Sequence, residues 1–169
     1  ARSVPDAGGV IFVPAFTGLN VPYHDHMARA AILGMSLGSD RAHIVRALLD
    51  AIGFQVRAIL ETIHADTGLH VAQLNVGGGL SASDLACQVQ ADLLGIPVVR
   101  PAERETTARG AALLAGLGAG VWRSVDELPN LPPGAIQFEP RLSRYQRDTQ
   151  YARWQQAVEA VRQFGSGSR

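Results

Sequence analysis

Three consecutive glycines constrain this chain more than any other feature of its sequence. Gly77, Gly78 and Gly79 follow a short apolar run, and a pattern typical of a helix begins at Ser83. Glycines allow a ligand to approach the backbone closely. The start of a helix adds unpaired N–H groups and the positive end of the helix dipole. The segment therefore predicts a strand, a tight turn and a helix, arranged as in α/β sheets that bind ligands at the carboxyl ends of their strands.

The same residues also allow a tight turn without a ligand, and the sequence alone leaves both interpretations open. Three glycines carry a conformational entropy cost that a simple turn need not incur. Their spacing differs from the G-x-G-x-x-G of dinucleotide-binding folds, and no acidic residue follows at the distance that would place it on a ribose. Because the chain contains no lysine, a Walker-type phosphate loop is excluded.

The composition indicates one globular domain. The chain has 169 residues, of which 47% are hydrophobic and 18% charged, with a formal net charge of zero. That balance predicts neither nucleic acid nor a membrane surface as a partner. No run approaches the roughly 18 apolar residues of a membrane span. The one cysteine, Cys87, allows no intrachain disulfide, and it predicts a buried, inert thiol and a cytoplasmic protein. The first residue is Ala1 rather than Met, which suggests a fragment.

Apolar periodicity predicts α/β organisation, with parallel strands joined by helical crossovers after residue 70. A long helix is capped by Ser39 or Asp40 and ended by Gly68. Further helices are expected at 83–94, which Gly95 ends, at 105–119, where small residues permit close packing, and at 141–164. Strands are expected at 10–14, 71–76 and 97–100. The Pro-rich segment 130–140 is predicted to be a connector, and Ser124 with Glu127 a capping box. The domain is expected to span 1–164, followed by a flexible tail at 165–169.

Other polar residues have structural explanations that the sequence favours over catalytic ones. Thr106 or Thr107 is expected to cap the helix that begins there. His24 and His26 flank Asp25 in a loop, but no third cluster of ligands follows them, so no metal site is predicted. Ser81 and Ser83 lack the G-x-S-x-G context of a nucleophile. We therefore predict no catalytic residue and no metal ligand in this chain.

Several motifs in a fixed order resemble the C-terminal domain of FGGY-type carbohydrate kinases, and most closely the members that act on glycerol. The motifs are Val13–Leu19, Pro22-Tyr23, Ala28-Arg29, Ala30–Met35 with His43–Asp50, Gln90–Val98 and Gly110–Gly116. Some positions depart from that pattern. Gly77 stands where Asp is usual, Ser83 where Asn is usual, and His24 and His26 where Trp and Pro are usual. Three glycines followed by serine resemble the corresponding segment of the pentulose kinases in the same superfamily. The sequence therefore leaves the identity of the phosphate acceptor open.

The resemblance implies an actin-like ATPase domain of the ribonuclease H-like type, with a mixed sheet flanked by helices. It implies that Gly79 and Ser83 contact the adenosine part of ATP and that Gly78 shapes the turn. It places the phosphate loop, most of the Mg²⁺ site, the polyol or sugar pocket and the general base in an N-terminal domain. The fragment alone is then expected to be inactive, and the complete enzyme to be a cytoplasmic homo-oligomer.

Two other interpretations remain open at this stage. A catalytically silent interaction module could have kept the actin-like fold. Alternatively, a different nucleotide-using α/β enzyme could be complete in this chain, and it would need a carboxylate near the glycines. Asp84 and Asp92 are the nearest such residues, although both are predicted to lie on a helix.

Overall fold

A computed structural model describes residues 1–103, 105–130 and 132–166. Two groups of strands are flanked by helices. In chain order the elements are β1 (Ile11–Val13), β2 (Ala31–Leu33), α1 (Arg41–Thr67), β3 (Leu74–Asn75), α2 (Asp84–Leu94), β4 (Val98–Arg100), α3 (Thr106–Gly118), β5 (Ile136–Phe138) and α4 (Arg144–Ser166). None of the described helices is both long and apolar enough to span a membrane.

The strands form one antiparallel pair and one mixed sheet. β1 pairs with β2, with Phe12 opposite Ile32. β4 is central in the second sheet, parallel to β3 on one side and antiparallel to β5 on the other. The helical crossover from β3 to β4 through α2 is the βαβ unit that the sequence predicted. β5 is an addition, because it lies inside the segment 130–140 that was predicted to be a connector.

The ends of α1 and α2 lie within a residue or two of their predicted positions. Asp40 caps α1, because its carboxylate accepts hydrogen bonds from the backbone N–H groups of Ala42 and His43 at 2.9 and 3.1 Å. Ser83 caps α2 through its hydroxyl. Gly68 and Gly95 end the two helices as predicted. These boundaries depend on neighbouring residues, which explains why the sequence located them.

The predictions for the region around α3 were less accurate. Glu105, rather than either threonine, is the residue before α3, and its side chain makes no capping bond. Ser124 likewise makes no capping bond, and Glu127 instead accepts a hydrogen bond from the backbone N–H of Arg123 at 2.8 Å. The capping box was therefore wrong. No residue of α3 is buried. Close packing of its small residues is nevertheless seen at Gly116, which lies so near the Trp122 ring that an added Cβ would overlap it.

The main core is built around Trp154 of α4, which is 1% exposed. Its ring stacks with Phe54 of α1 and Tyr151 of α4, at centroid distances of 5.7 and 6.0 Å. Its indole N–H donates a hydrogen bond to the Phe12 carbonyl of β1 at 3.2 Å. Val89 and Leu93 of α2 belong to the same cluster. This core therefore joins β1, α1, α2 and α4, and it fixes where α2 begins.

The last helix extends slightly past its predicted end. Gly165 and Ser166 belong to α4, although they were assigned to a flexible tail. Gly165 is buried against the backbone of Met27, where an added Cβ would lie 2.7 Å from the Met27 carbonyl oxygen. This close approach stabilises the end of the helix. Residues 167–169 of the predicted tail lie outside the described residues.

Replacing Trp154 tests the role of this core. We expect Trp154→Ala to lower the free energy of unfolding by about 3–5 kcal/mol, because it leaves a large cavity and removes the buried hydrogen bond to the Phe12 carbonyl. Tyr145→Ala on the same helix is the matched control, since Tyr145 is 80% exposed and should change stability by less than about 0.5 kcal/mol. Urea denaturation measures both values. Equal effects of the two substitutions would contradict the assigned core.

Candidate functional site

The candidate site is the turn between β3 and α2. β3 ends at Asn75, and the Val76 N–H still donates to the Val99 carbonyl of β4 at 2.9 Å. The chain then passes through the three glycines into one short 3-10 turn, Gly79–Ala82, before α2 begins. Because β3 and β4 are parallel, this turn lies at the carboxyl edge of the sheet, where α/β folds bind ligands.

Gly77 packs against the start of α3. A Cβ added there would lie 2.5 Å from the Oγ1 atom of Thr106, the first residue of that helix. A side chain at residue 77 would therefore force the Thr106 side chain to move. The aspartate usual at this position in the resembling kinases would need a different position of the Thr106 side chain.

Gly78 and Gly79 differ from Gly77, because both face open space. A Cβ added to either would meet no atom within 4 Å. Gly78 has φ of 81°, a backbone conformation that side chains disfavour, so the turn itself explains this glycine. Gly79 has neither a steric neighbour nor a positive φ. Neither packing nor backbone conformation therefore explains why residue 79 is a glycine. Close approach of a ligand to the backbone would explain it, because a ligand surface requires that no side chain be in the way.

Hydrogen bonds fix the turn after the glycines. The Gly78 carbonyl accepts from both the N–H and the hydroxyl of Ser81, at 3.2 and 2.7 Å. Ser81 is buried, and the Ser83 N–H donates to the Leu80 carbonyl at 3.1 Å. The turn therefore has a defined shape without any ligand.

Ser83 lies where the turn meets α2. Its hydroxyl oxygen accepts a hydrogen bond from the Ala86 N–H at 3.3 Å, which caps the helix. A hydroxyl that accepts in this way can still donate its own proton to another group. Ser83 is partly exposed, so the structure brings it onto the same turn as Gly78 and Gly79.

Arg100, at the end of β4, supports the turn from beneath. Its guanidinium donates to the Ser81 carbonyl at 2.6 Å and pairs with Asp84 at 2.8 Å. It also lies over the ring of Phe138, 5.3 Å from the centroid, and is only 9% exposed. Sequence reasoning missed this residue. A charged side chain directly after Val98-Val99 on a buried strand is the signal that could have found it, since buried arginines need partners.

Cys87 of α2 also contacts the Ser81 carbonyl. Its thiol donates to the Ser81 oxygen at 3.4 Å, and burial raises the pKa of the thiol. A neutral, buried thiol is a poor nucleophile. The cysteine therefore packs beneath the turn, as the sequence predicted.

The loop with His24 and His26 is organised by its aspartate. The Asp25 carboxylate accepts from the N–H groups of Met27 and Ala28 at 2.9 and 3.1 Å and pairs with Arg162 of α4. Its oxygens hold the loop against α4. In the described part of the chain, no three His, Cys, Asp or Glu side chains are grouped closely enough to hold a metal ion.

Replacing Arg100 tests its support of the turn. We expect Arg100→Gln to lower the free energy of unfolding by about 1–3 kcal/mol, because the buried Ser81 carbonyl loses its charged donor. Amide hydrogen exchange at 79–83 should also become faster. Arg123→Gln removes an exposed arginine as a control and should change neither quantity. Unchanged exchange at 79–83 in Arg100→Gln would rule out this role.

Comparison with known proteins assigns this architecture to a family. Residues 1–119 match the model of the FGGY family of carbohydrate kinases, C-terminal domain. A glycerol kinase of Aromatoleum aromaticum is 48% identical over 162 residues, which cover 96% of this chain and 33% of that protein. A glycerol kinase of Deinococcus radiodurans is 44% identical and is covered over 34% of its length.

Solved structures give the same result. The glycerol kinase of Plasmodium falciparum with ADP superposes with a TM-score of 0.78 at 33% identity, over 95% of this chain and 32% of that one. A xylulose kinase of Rhodospirillum rubrum gives 0.75 at 26% identity, over 98% of this chain and 32% of that one. The chain thus spans about a third of the relatives it matches. It belongs to the FGGY family of carbohydrate kinases, as their C-terminal domain, and the expected actin-like fold with a mixed sheet is confirmed.

Proposed function

We propose that this chain is the adenosine-binding domain of an ATP-dependent kinase that phosphorylates a hydroxyl of glycerol or of a related polyol or sugar. In this proposal residues 1–164 form the C-terminal domain of a longer protein. The complete enzyme transfers the γ-phosphoryl group of ATP with the help of Mg²⁺. It works in the cytoplasm as a homo-oligomer.

The open surface at Gly79 is the observation that carries this proposal. A side chain at that position would contact no protein atom, and the backbone there does not have the positive φ that disfavours side chains. The glycine therefore leaves room for a ligand against the backbone. Leu80 beside it is 45% exposed, which offers an apolar contact for a purine ring. The Ser83 hydroxyl can donate to a ribose oxygen or a base nitrogen.

The charges at the turn favour adenosine over the phosphates. Arg100 is engaged beneath the turn by Ser81 and Asp84, so it is not directed at a ligand. A triphosphate needs cations or Mg²⁺ around the γ-phosphoryl group for transfer. In this proposal those groups, and the carboxylate that accepts the substrate proton, belong to the N-terminal domain. Closure of the two domains excludes water from the reaction.

Glycerol is the preferred acceptor in this proposal. The relatives at 44 and 48% identity over nearly the whole chain are glycerol kinases. A pentulose is the second candidate, because Gly77 and Ser83 depart from the usual glycerol kinase residues. The similarity to a xylulose kinase at 26% identity is consistent with that alternative.

Nucleotide binding by the turn is testable on this chain. We expect millimolar ATP, or adenosine alone, to shift the amide resonances of 78–83. Gly79→Ala should weaken binding at least about tenfold, equivalent to 1.4 kcal/mol, because its methyl group occupies the ligand surface. Gly110→Ala is the control, since a Cβ there also meets open space but lies on α3. Absence of any shift at 78–83 would favour the silent interaction module.

Catalysis is expected only from the longer protein. This chain with ATP, Mg²⁺ and either glycerol or xylulose should release no ADP in a coupled assay, because it lacks the phosphate loop and general base. The longer protein should turn over one of the two acceptors and so distinguish the glycerol proposal from the pentulose one. Turnover by the isolated chain would refute this division of labour and support a complete enzyme.

A further inference from the structure

A surface cleft of about 390 Å³ lies between the second half of α1, the segment that precedes β3, the end of α2 and the start of α4. None of its lining residues belongs to the glycine turn. Charged and imidazole side chains dominate the lining, namely Arg57, Glu61, His64, His70, Arg144, Arg147 and Asp148. We call it the basic cleft.

Both carboxylates of the basic cleft are already paired. Arg57 donates through Nε to Glu61 at 2.9 Å and through Nη2 to Asp148 at 2.7 Å. The hydrogen bond from Arg57 lowers the pKa of Asp148, so this carboxylate is ionised and engaged at neutral pH. The Arg57 guanidinium also lies 4.3 Å from the ring centroid of Tyr151. One arginine thus neutralises much of the negative charge in the cleft.

Arg147 is positively charged and has no such partner. Among the described residues, no carboxylate lies within 4.0 Å of its guanidinium, which makes one long contact of 3.4 Å with the Leu142 carbonyl. The guanidinium lies beside Gly95, where an added Cβ would lie 2.5 Å from its Cζ atom. Gly95 therefore provides the space in which Arg147 rests. A guanidinium can bind two oxygens of one anion at once through its planar set of N–H donors.

Two imidazoles complete the basic cleft. The rings of His64 and His70 lie 4.0 Å apart, and the Nδ1 atom of His64 is 3.3 Å from the Leu69 carbonyl. Because a carbonyl oxygen only accepts, that contact makes Nδ1 the donor. A protonated imidazole has two N–H donors, and an anion beside two such rings would offset their mutual repulsion.

Arg144 adds a further cation at the rim. It is 86% exposed, and its contact with Asp148 is 3.4 Å, a pair of little energetic value. The basic cleft thus has three guanidinium groups against two carboxylates, with two imidazoles besides. Guanidinium groups match the geometry of phosphate oxygens, and charge-assisted hydrogen bonds to phosphate are among the strongest in proteins.

We propose that the basic cleft binds a tetrahedral dianion, either free phosphate or the phosphate group of a small ester, through Arg147, His64 and His70. Arg144 closes the rim over the bound anion. This site is separate from the adenosine turn, and it does not depend on the proposed kinase activity.

Anion titrations of this chain test the proposal at constant ionic strength. Inorganic phosphate and glucose 6-phosphate are added separately while the imidazole resonances of His64 and His70 are followed by NMR. We expect saturable shifts with at least one of them at millimolar concentration. Tighter binding of inorganic phosphate identifies the free ion as the ligand, and tighter binding of glucose 6-phosphate identifies the ester. Shifts that fail to saturate with either would overturn the site.

Arg147→Gln should weaken binding at least about tenfold, since it removes a guanidinium that lines the cleft. Arg123→Gln is the matched control, because it makes the same charge change at an exposed position outside the cleft. Equal losses in both variants would show a nonspecific charge effect and reject the site. If Arg147→Gln is unfolded by circular dichroism, Arg144→Gln takes its place, with a loss of at least about threefold expected and an unchanged affinity counting against the site.

A double variant isolates the contribution of the histidines. His64→Asn with His70→Asn should bind sulfate at least about fivefold more weakly than the unaltered chain at the same pH, because both imidazoles are removed from the cleft. An unchanged affinity for sulfate in the double variant would exclude both histidines from the site.

Discussion

The burial of Trp154 is the interaction on which the rest of the structure depends. Its ring stacks on Phe54 between α1 and α4, and its N–H donates a buried hydrogen bond to the Phe12 carbonyl of β1. Because Val89 and Leu93 pack into the same cluster, the position of α2 follows from this core. The glycine turn lies at the start of α2. The candidate site is thus placed by a residue on a different helix, far along the chain.

Arg100 connects the second sheet to that turn. Its guanidinium joins the end of β4 to the Ser81 carbonyl and to Asp84 at the start of α2. A buried arginine with several partners is specific in geometry, because each unmade bond is costly. This arrangement leaves the outer surface of the turn formed by glycine backbone and Leu80. The proposed adenosine site and the proposed anion site therefore differ in chemistry, the first apolar and the second cationic.

Local and nonlocal features were predicted from the sequence with unequal accuracy. The helix ends at Asp40, Gly68, Ser83 and Gly95 were found because capping involves residues a few positions apart. β5 was not predicted from the sequence, because it consists of three residues in a Pro-rich segment. These residues form a strand only because β4 offers them an edge with which to pair. The two threonines that begin α3 suggested a cap, but Thr106 instead packs beside Gly77. Such a contact joins segments that are distant in sequence.

The sequence by itself determined the order of helices and strands, the family and the three glycines as the place to look. These features depend on periodicity, on caps and on motifs, all of which are local. Only the tertiary structure distinguished the three glycines, since Gly77 packs against α3, Gly78 sets the backbone conformation and Gly79 faces open space. It also placed Arg100 beneath the turn and put His64, His70 and Arg147 on the lining of one cleft. Those relationships arise only when the core has packed, because no sequence spacing encodes a distance between separate elements.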